Sequence, residues 1–392
     1  MRFVSTLFLF LTSLTLVAGE MRGYVIGQGS FTKKPIFLKE YDRSEITNIN
    51  RFNYIHRFPD DSSFEAGLEI NQIFEKNDLA QISPYLHKTK YPFRIKQFNE
   101  YLINRNNMNS DRYFSQGHLD RLVYNHEANS FSVTVGRQQI SFGSSKVVNP
   151  LDMFAPFNVV TINKEERNGV DALRLRIPYR QMGEWDFAVV AGEDFEGKKS
   201  AALAAFKFSI NSTDLKLMAM HFKQAEIFGI DLLTTLFDAN FWLEGTTTKP
   251  KGEESYQRVT AGGEYQWSEK LYTTLEYHYN GAGFDNLNFY YLKTDKFAFN
   301  DGGVYLLNKN YLNFIMGYQL APLDTLMLSL LYCGDDQSVL LSPSFESSLS
   351  ENLNLIVGAF IGIGDENSSL TDLNSELKGY GKTFFVKLRQ FF

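Results

Sequence analysis

The sequence predicts an all-β fold, a transmembrane antiparallel β-barrel of about 18 strands (16–18), on three observations. Apolar and polar residues alternate with period two along nearly the whole chain, short and long connections alternate, and 15% of the residues are aromatic. Alternation gives a strand two unlike faces, and a membrane barrel needs an oily surface only on the face that meets lipid. A mean hydropathy of -0.25 is compatible with that design.

The first segment, MRFVSTLFLFLTSLTLVAGE, sets Arg2 ahead of an apolar run from Phe3 to Val17, with small residues at Ala18 and Gly19. This is the layout of a cleavable export signal over residues 1–19. The run is shorter than the roughly 20 residues that a membrane-spanning helix needs. Residues 20–392 then form one barrel domain.

Strands are expected near 22–31, 46–57, 63–75, 112–125, 129–142, 168–178, 184–192, 200–210, 214–222, 225–235, 238–246, 256–267, 271–281, 311–319, 324–333, 338–349, 352–362 and 380–392. In LYTTLEYHY, for example, Leu271, Leu275, Tyr277 and Tyr279 oppose Tyr272, Thr274, Glu276 and His278. Short turns (FPDDS, HEAN, YRQMGE, NST, FDA, WSEK, APLD, LSE) follow every second strand, and mostly longer connections lie between them. That asymmetry belongs to outer-membrane barrels, with short periplasmic turns and long extracellular loops. FRIKQFNEYLINRN would break the parity as a wall strand. It is assigned to a long external connection from about Glu75 to Ser110, with room for a local hairpin or helix.

A barrel of this size is too wide for its own side chains to fill. The alternation points Arg51, Arg57, Glu65, Glu69, Arg174, Arg176, Glu264, Glu276, Lys387 and Arg389 inward. Arg174 and Arg176 are the sharpest feature, because two guanidiniums on one strand make a positive ladder suited to anionic solutes.

Between Gly143 and Gly169, GSSKVVNPLDMFAPFNVVTINKEERNG loses the alternation and carries Pro150, Pro156 and the apolar Phe154, Phe157, Val159 and Val160. A loop this apolar is poorly placed in water, so it is expected to fold into the lumen and narrow it. The alternation also slips between Val135 and Ile140, which indicates a bulge or the strand's exit from the membrane.

Other classes are excluded or weakened. A single cysteine, Cys333, cannot form an internal disulfide, and a net charge of -6 speaks against a nucleic-acid binder. The six histidines fit no zinc spacing, and neither a G-x-S-x-G elbow nor a P-loop is present, so no cofactor and no enzymatic activity are expected.

The closing KTFFVKLRQFF sets Phe384, Val386, Leu388 and Phe392 in phase. It resembles the terminal assembly signal of Gram-negative outer-membrane proteins, which the barrel-assembly machinery reads. Its strand is expected to close the barrel against the first. The run VTVGRQQISFGSSKVVNPLDMFAPFNVVTINKEERNGVDALRLRIPY resembles an uncharacterised porin-like family of Gram-negative outer-membrane β-barrels, distantly similar to alginate-export and other substrate-selective barrels. Arg137, Gln138, Gly143, Asn149, Pro150, Asp152, Phe154, Pro156, Glu166, Gly169, Asp171 and Ala172 occupy its matching positions, while Phe142 stands where Trp is frequent. In these terms Arg137 paired to Asp152 or Asp171 ties the loop to the wall, and Asn149-Pro150 sets its turn.

Together these readings imply an outer-membrane channel for passive or substrate-selective passage of small hydrophilic solutes. Its pore-lining or constriction residues are Arg137, Asp152, Glu166, Asp171, Arg174 and Arg176, and its loop-shaping residues are Asn149, Pro150, Phe154 and Pro156. The alternative is a structural or adhesive barrel with an occluded lumen. The expected partners are outer-membrane lipid, the barrel-assembly machinery and a small hydrophilic solute, without nucleic acid. The solute and the oligomeric state are left open.

Overall fold

The computed structural model describes residues 19–33, 42–77, 91–97, 99–106, 111–285, 287, 295–366 and 373–392; the export signal expected over 1–19 lies, apart from Gly19, outside them. The strands are β1 (Glu20–Lys33), β2 (Arg43–Arg57), β3 (Ser62–Asn77), β4 (Asn99–Asn106), β5 (Asp111–Ala128), β6 (Phe131–Gln138), β7 (Val170–Tyr179), β8 (Gly183–Val190), β9 (Ala201–Ile210) and β10 (Thr213–Phe222). They continue as β11 (Ala225–Leu236), β12 (Ala239–Pro250), β13 (Tyr256–Ser268), β14 (Leu271–Asn280), β15 (Asn310–Ala321), β16 (Asp324–Cys333), β17 (Val339–Ser350), β18 (Leu353–Ile363) and β19 (Lys382–Phe391).

Each wall strand pairs antiparallel with its neighbours in chain order, and β1 pairs with β19 as well as with β2, so 18 strands close into a barrel. At the seam the Gly23 and Phe392 amides donate to one another's carbonyls at 3.0 and 3.1 Å. The last residue is therefore held in the ladder. All the expected short turns lie on one rim, several of them two residues long. Such turns need left-handed backbone, which Asn211, Phe237 and Asp238 supply with φ of 52°, 51° and 64°.

No helix among the described residues is long and apolar enough to cross a membrane, so any crossing is made by strands. Their outward side chains are oily and exposed, as at Leu217, Phe228, Leu243, Leu275, Val357, Phe384, Val386 and Leu388, while Glu276, His278 and Lys387 on the opposite phase are buried. Exposed aromatics gather toward the rim of short turns, at Phe131, Tyr179, Trp185, Tyr265, Trp267 and Tyr318, where an interfacial girdle belongs.

The largest hydrophobic core lies inside the barrel. Ala188, Val190, Leu203, Ala205, Met218, Met220, Phe222 and Ile227 form an apolar inward patch on β8 to β11, and Ile140, Phe142, Leu151, Met153 and Phe154 pack onto it. These strands are apolar on both faces.

The chain leaves the wall after β6. Gly136 has a positive φ (113°) there, β6 ends at Gln138, and the strand expected over 129–142 is correspondingly shorter. Two edges would be left open. The upper part of β5 pairs with β4, within the connection expected to have room for a local hairpin or helix, and the Asp171 amide of β7 donates to Phe93 O at 2.8 Å. Residues 91–97 and 99–106 thus occupy the place that β6 vacates.

On the same rim, that of the long connections, Glu376, fully buried, accepts from four donors: the Leu307 and Asn308 amides, Asn308 Nδ2 and Tyr311 Oη, at 2.5–3.2 Å. Burial pushes its pKa up to about 7 against those donors, which favour the carboxylate. A carboxyl raised on folding contributes its stability fully below about pH 4.5 and loses it as pH rises through about 7. Hydrogen exchange at Leu307 and Asn308, corrected for intrinsic rates, is expected to quicken by roughly tenfold or more between pH 5 and pH 8. Gly136→Ala would set a Cβ 2.1 Å from Leu122 O at a positive φ. It is expected to destabilise the barrel by about 2 kcal/mol or more, read from the denaturant midpoint in detergent, whereas Gly27→Ala, with nothing within 4 Å, stays near wild type.

Candidate functional site

The segment from Gln139 to Gly169 is held at three places around the inward face of the wall. At the first, it meets β12, β13 and β14. Glu244 accepts from the Ser145 and Leu151 amides at 3.2 and 2.6 Å and from Ser145 Oγ at 2.8 Å. Glu276 accepts from the amides of Lys146, Val147 and Val148 at 2.8–3.2 Å and from Trp242 Nε1 at 3.0 Å. Thr260 donates to Val148 O at 2.9 Å, and Arg258 to Pro150 O at 2.6 Å. Irregular backbone has no ladder of its own, so buried wall carboxylates take its N–H groups instead.

Local sequence sets this geometry. Asn149 donates through Nδ2 to Phe142 O (2.7 Å) and accepts through Oδ1 from the Leu151 and Asp152 amides (3.0 Å each), a side-chain-mediated turn closed by Pro150. Gly143 has φ 95°, and a Cβ there would lie 2.3 Å from the Asn149 side chain and 2.5 Å from Glu244. Only glycine fits. Phe154 stacks edge-on with Phe93 and Phe222, at 5.2 and 5.6 Å between ring centres.

At the second place the segment reaches β15 to β19. Val147, Val159, Val160 and Ile162 pack against a cluster that includes Leu331, Leu340, Phe360 and Phe385. Glu165 pairs with Lys387 (2.8 Å) and Arg389, and Asn163 accepts from Lys387 at 3.4 Å. A cavity of about 280 Å³ remains here between Lys146 and Lys164 of the loop and Asn313, Ser329, Ser342 and Ser344 of the wall. Lys164 is exposed to it and has no carboxylate partner among the described residues.

The third place is a buried charge cluster on β2, β3 and β5. Asp120, at a bulge, accepts from Arg51, Arg94 and the Gly169 amide, each at 2.9 Å, and from Arg121. Arg121 also donates to Glu166 (3.0 Å) and Arg167 O (2.9 Å), and Arg94 donates to Gly169 O (3.1 Å). Three guanidiniums are set against Asp120, Glu69 and Glu166, so no charge is buried alone. Above the loop, a cavity of about 750 Å³ is lined by Phe93, Phe154 and Phe222 with Lys198, with Lys199 paired to Glu193 and Glu196, and with Lys223 paired to Asp301.

The expected site residues divide. Asn149, Pro150, Phe154, Pro156, Asp152 and Glu166 all lie in the inward segment, with Asp152 paired to Arg167 rather than to Arg137. Arg137 makes a two-pronged pair with Asp171, at 2.7 and 2.9 Å. Yet in both strand registers these two share the phase of Leu122, Val135 and Leu173, which face outward, so they do not line the lumen. Arg174 is neutralised by Asp186 at 2.9 and 2.6 Å. That leaves Arg176 without a carboxylate partner among the described residues, and the expected two-guanidinium ladder reduces to one free cation. Asp120, Arg94, Glu244 and Arg258 were not legible as site residues. Glu244 alone left a usable signal, because it shares the inward phase with Trp242, Thr246 and Thr248.

No family model matches the sequence, and no curated protein does. Solved structures do. Pseudomonas aeruginosa OccK7 (OpdD) is similar with a TM-score of 0.58 at 9% identity, over 96% of this chain and 99% of that one. P. aeruginosa OccD3 (OpdP) gives 0.54 at 8% over 96% and 91%, and the P. aeruginosa outer membrane protein opdK gives 0.54 at 8% over 95% and 99%. At such identities the likeness is one of fold, and the chain has the architecture of the porin-like 18-stranded barrels of the bacterial outer membrane.

Proposed function

We propose that the protein is an outer-membrane channel for small hydrophilic solutes, narrowed by the loop 143–169. One observation carries the reading. The backbone of residues 145–151 is bound by Glu244 and Glu276, which face inward from strands on the far side of the lumen from β6, where the loop begins. A barrel built only as an anchor has no use for a loop fastened at that depth. The fold shared with OccK7 and OccD3 supports the same reading.

In this reading the solute enters by the aromatic and lysine-lined cavity near Phe154 and passes beside Lys146, Lys164 and the polar side chains of β15 to β17. The outward face contacts outer-membrane lipid, and Phe384, Val386 and Leu388 on β19, with Phe392 just after it, are the surface that the assembly machinery reads after export. The unpaired Lys164 and Arg176 favour anionic over cationic solutes.

Planar-bilayer recording of the purified barrel tests the reading directly. Discrete conductance and uptake of small solutes into vesicles are expected; a sealed membrane in both assays would favour an occluded, structural barrel. Glu244→Ala with Glu276→Ala strands five loop amides, at about 1–3 kcal/mol for each one left dry. The double variant is expected to show larger and noisier conductance from a barrel that is still folded. Lys164→Glu is expected to move the reversal potential toward cation preference in a salt gradient, and an unchanged potential would remove Lys164 from the path.

A further inference from the structure

The wall carries a cavity of about 620 Å³ that opens away from the lumen, beside β5 to β8. Its floor is built of Leu122, Val135, Leu173 and Val189, all exposed and all on the outward phase of their strands. It is therefore continuous with the apolar belt of the barrel. Its roof comes from two separate external segments, joined where the Asp194 amide donates to Ile95 O at 3.1 Å. Phe195 lies over it, 69% exposed, and both Asp194 and Phe195 adopt left-handed backbone, with φ of 53° and 60°. Non-glycine residues rarely hold that conformation. Here it presents a bare aromatic ring to the outside, which is unfavourable against water and favourable against lipid.

We propose that this cavity holds one acyl chain of an anionic membrane lipid, with the headgroup at Lys96. The lining is too apolar to order water, which needs polar partners, and an empty space of this size forfeits packing on every wall. Its volume falls in the range of small-molecule sites. The charge favours an anion. Asp171 is the only acid in the lining; Arg137 and the Ile95 amide (2.8 Å) occupy it, and Lys96 remains exposed at the cavity. The site also touches the hinge of the lumen loop. Ile95 and Lys96 roof the cavity, and from the same segment Arg94 reaches the other way to Asp120 and Gly169 O. A seated chain thus stiffens the segment that anchors the loop's return to the wall.

The test uses the folded barrel in vesicles of phosphatidylglycerol that carries a diazirine on one acyl chain, followed by illumination and peptide mapping. Peptides around Leu122, Val135 and Val189 are expected to be labelled roughly tenfold over those around Leu312 and Leu326, outward residues elsewhere on the belt. Equal labelling would overturn the proposal. Val189→Trp, which fills the space, should bring the excess down to the belt level while heat-modifiable gel mobility confirms folding; a persisting excess would also overturn it. In phosphatidylcholine the excess should shrink, and Lys96→Glu should abolish the difference between the two lipids. No difference between the lipids in the wild-type protein would overturn the anionic assignment.

Discussion

In hydrocarbon every backbone N–H and C=O must find a partner, and the arrangement of this barrel follows from meeting that condition at one awkward place. A loop that is to cross the lumen has to leave the wall, and leaving exposes the edges of the strands on either side. Here the departure follows Gln138, and the edges at risk are the upper part of β5 and the start of β7. Residues 91–97 and 99–106 repair both, by the pairing of β4 with β5 and the bond from Asp171 to Phe93. These described parts of the connection between β3 and β5 thus belong to the wall. Their inner side fixes the loop through Arg94, and their outer side covers the Arg137–Asp171 pair.

The strand plan was legible because two independent periodicities encode it. Alternation marks where each strand runs, and the rhythm of connection lengths marks which rim it has reached; Tyr272 to His278 and Phe384 to Phe392 show the first, and the eight short turns the second. What escaped was whatever depends on a partner distant in sequence. β4 is eight residues inside a long connection, and its pairing with β5 follows from an edge that β6 leaves free. The shortening of β6 is a backbone event at Gly136, for which the alternation gave only a slip.

The site was legible in part for the same reason. Asn149, Pro150 and Gly143 act on their near neighbours, so their turn could be read locally. Arg137 was expected to tie the inward loop to the wall through Asp152 or Asp171; it pairs with Asp171 of β7, and the registers on both sides place that pair outward, which a face read next to a strand end does not reveal. Arg174 lost its free charge to Asp186 across a hairpin. The doubly apolar strands β8 to β11 were the overlooked signal. An inward face of Ala, Leu and Met in a water-filled barrel is unexplained until something apolar lies on it, and Phe142 to Phe154 does.

The way the loop is fastened decides what kind of element it is. An apolar loop resting on an apolar patch can slide, since dispersion has little directional preference. Five amides aimed at two buried carboxylates cannot, because each bond fails over a fraction of an ångström, and both an orphaned carboxylate and a dry N–H are costly. Intermediate positions are therefore worse than either the bound state or a fully wetted release. Anchors at Glu165 and at Asp120 add two further fixed points along the same 30 or so residues, so release at one place leaves the others holding. Such a segment is held as one fixed body against the inward face of the wall. Side chains beside it that lack a carboxylate partner among the described residues, such as Lys164 at the cavity lined by β15 to β17, keep the freedom that its backbone has lost.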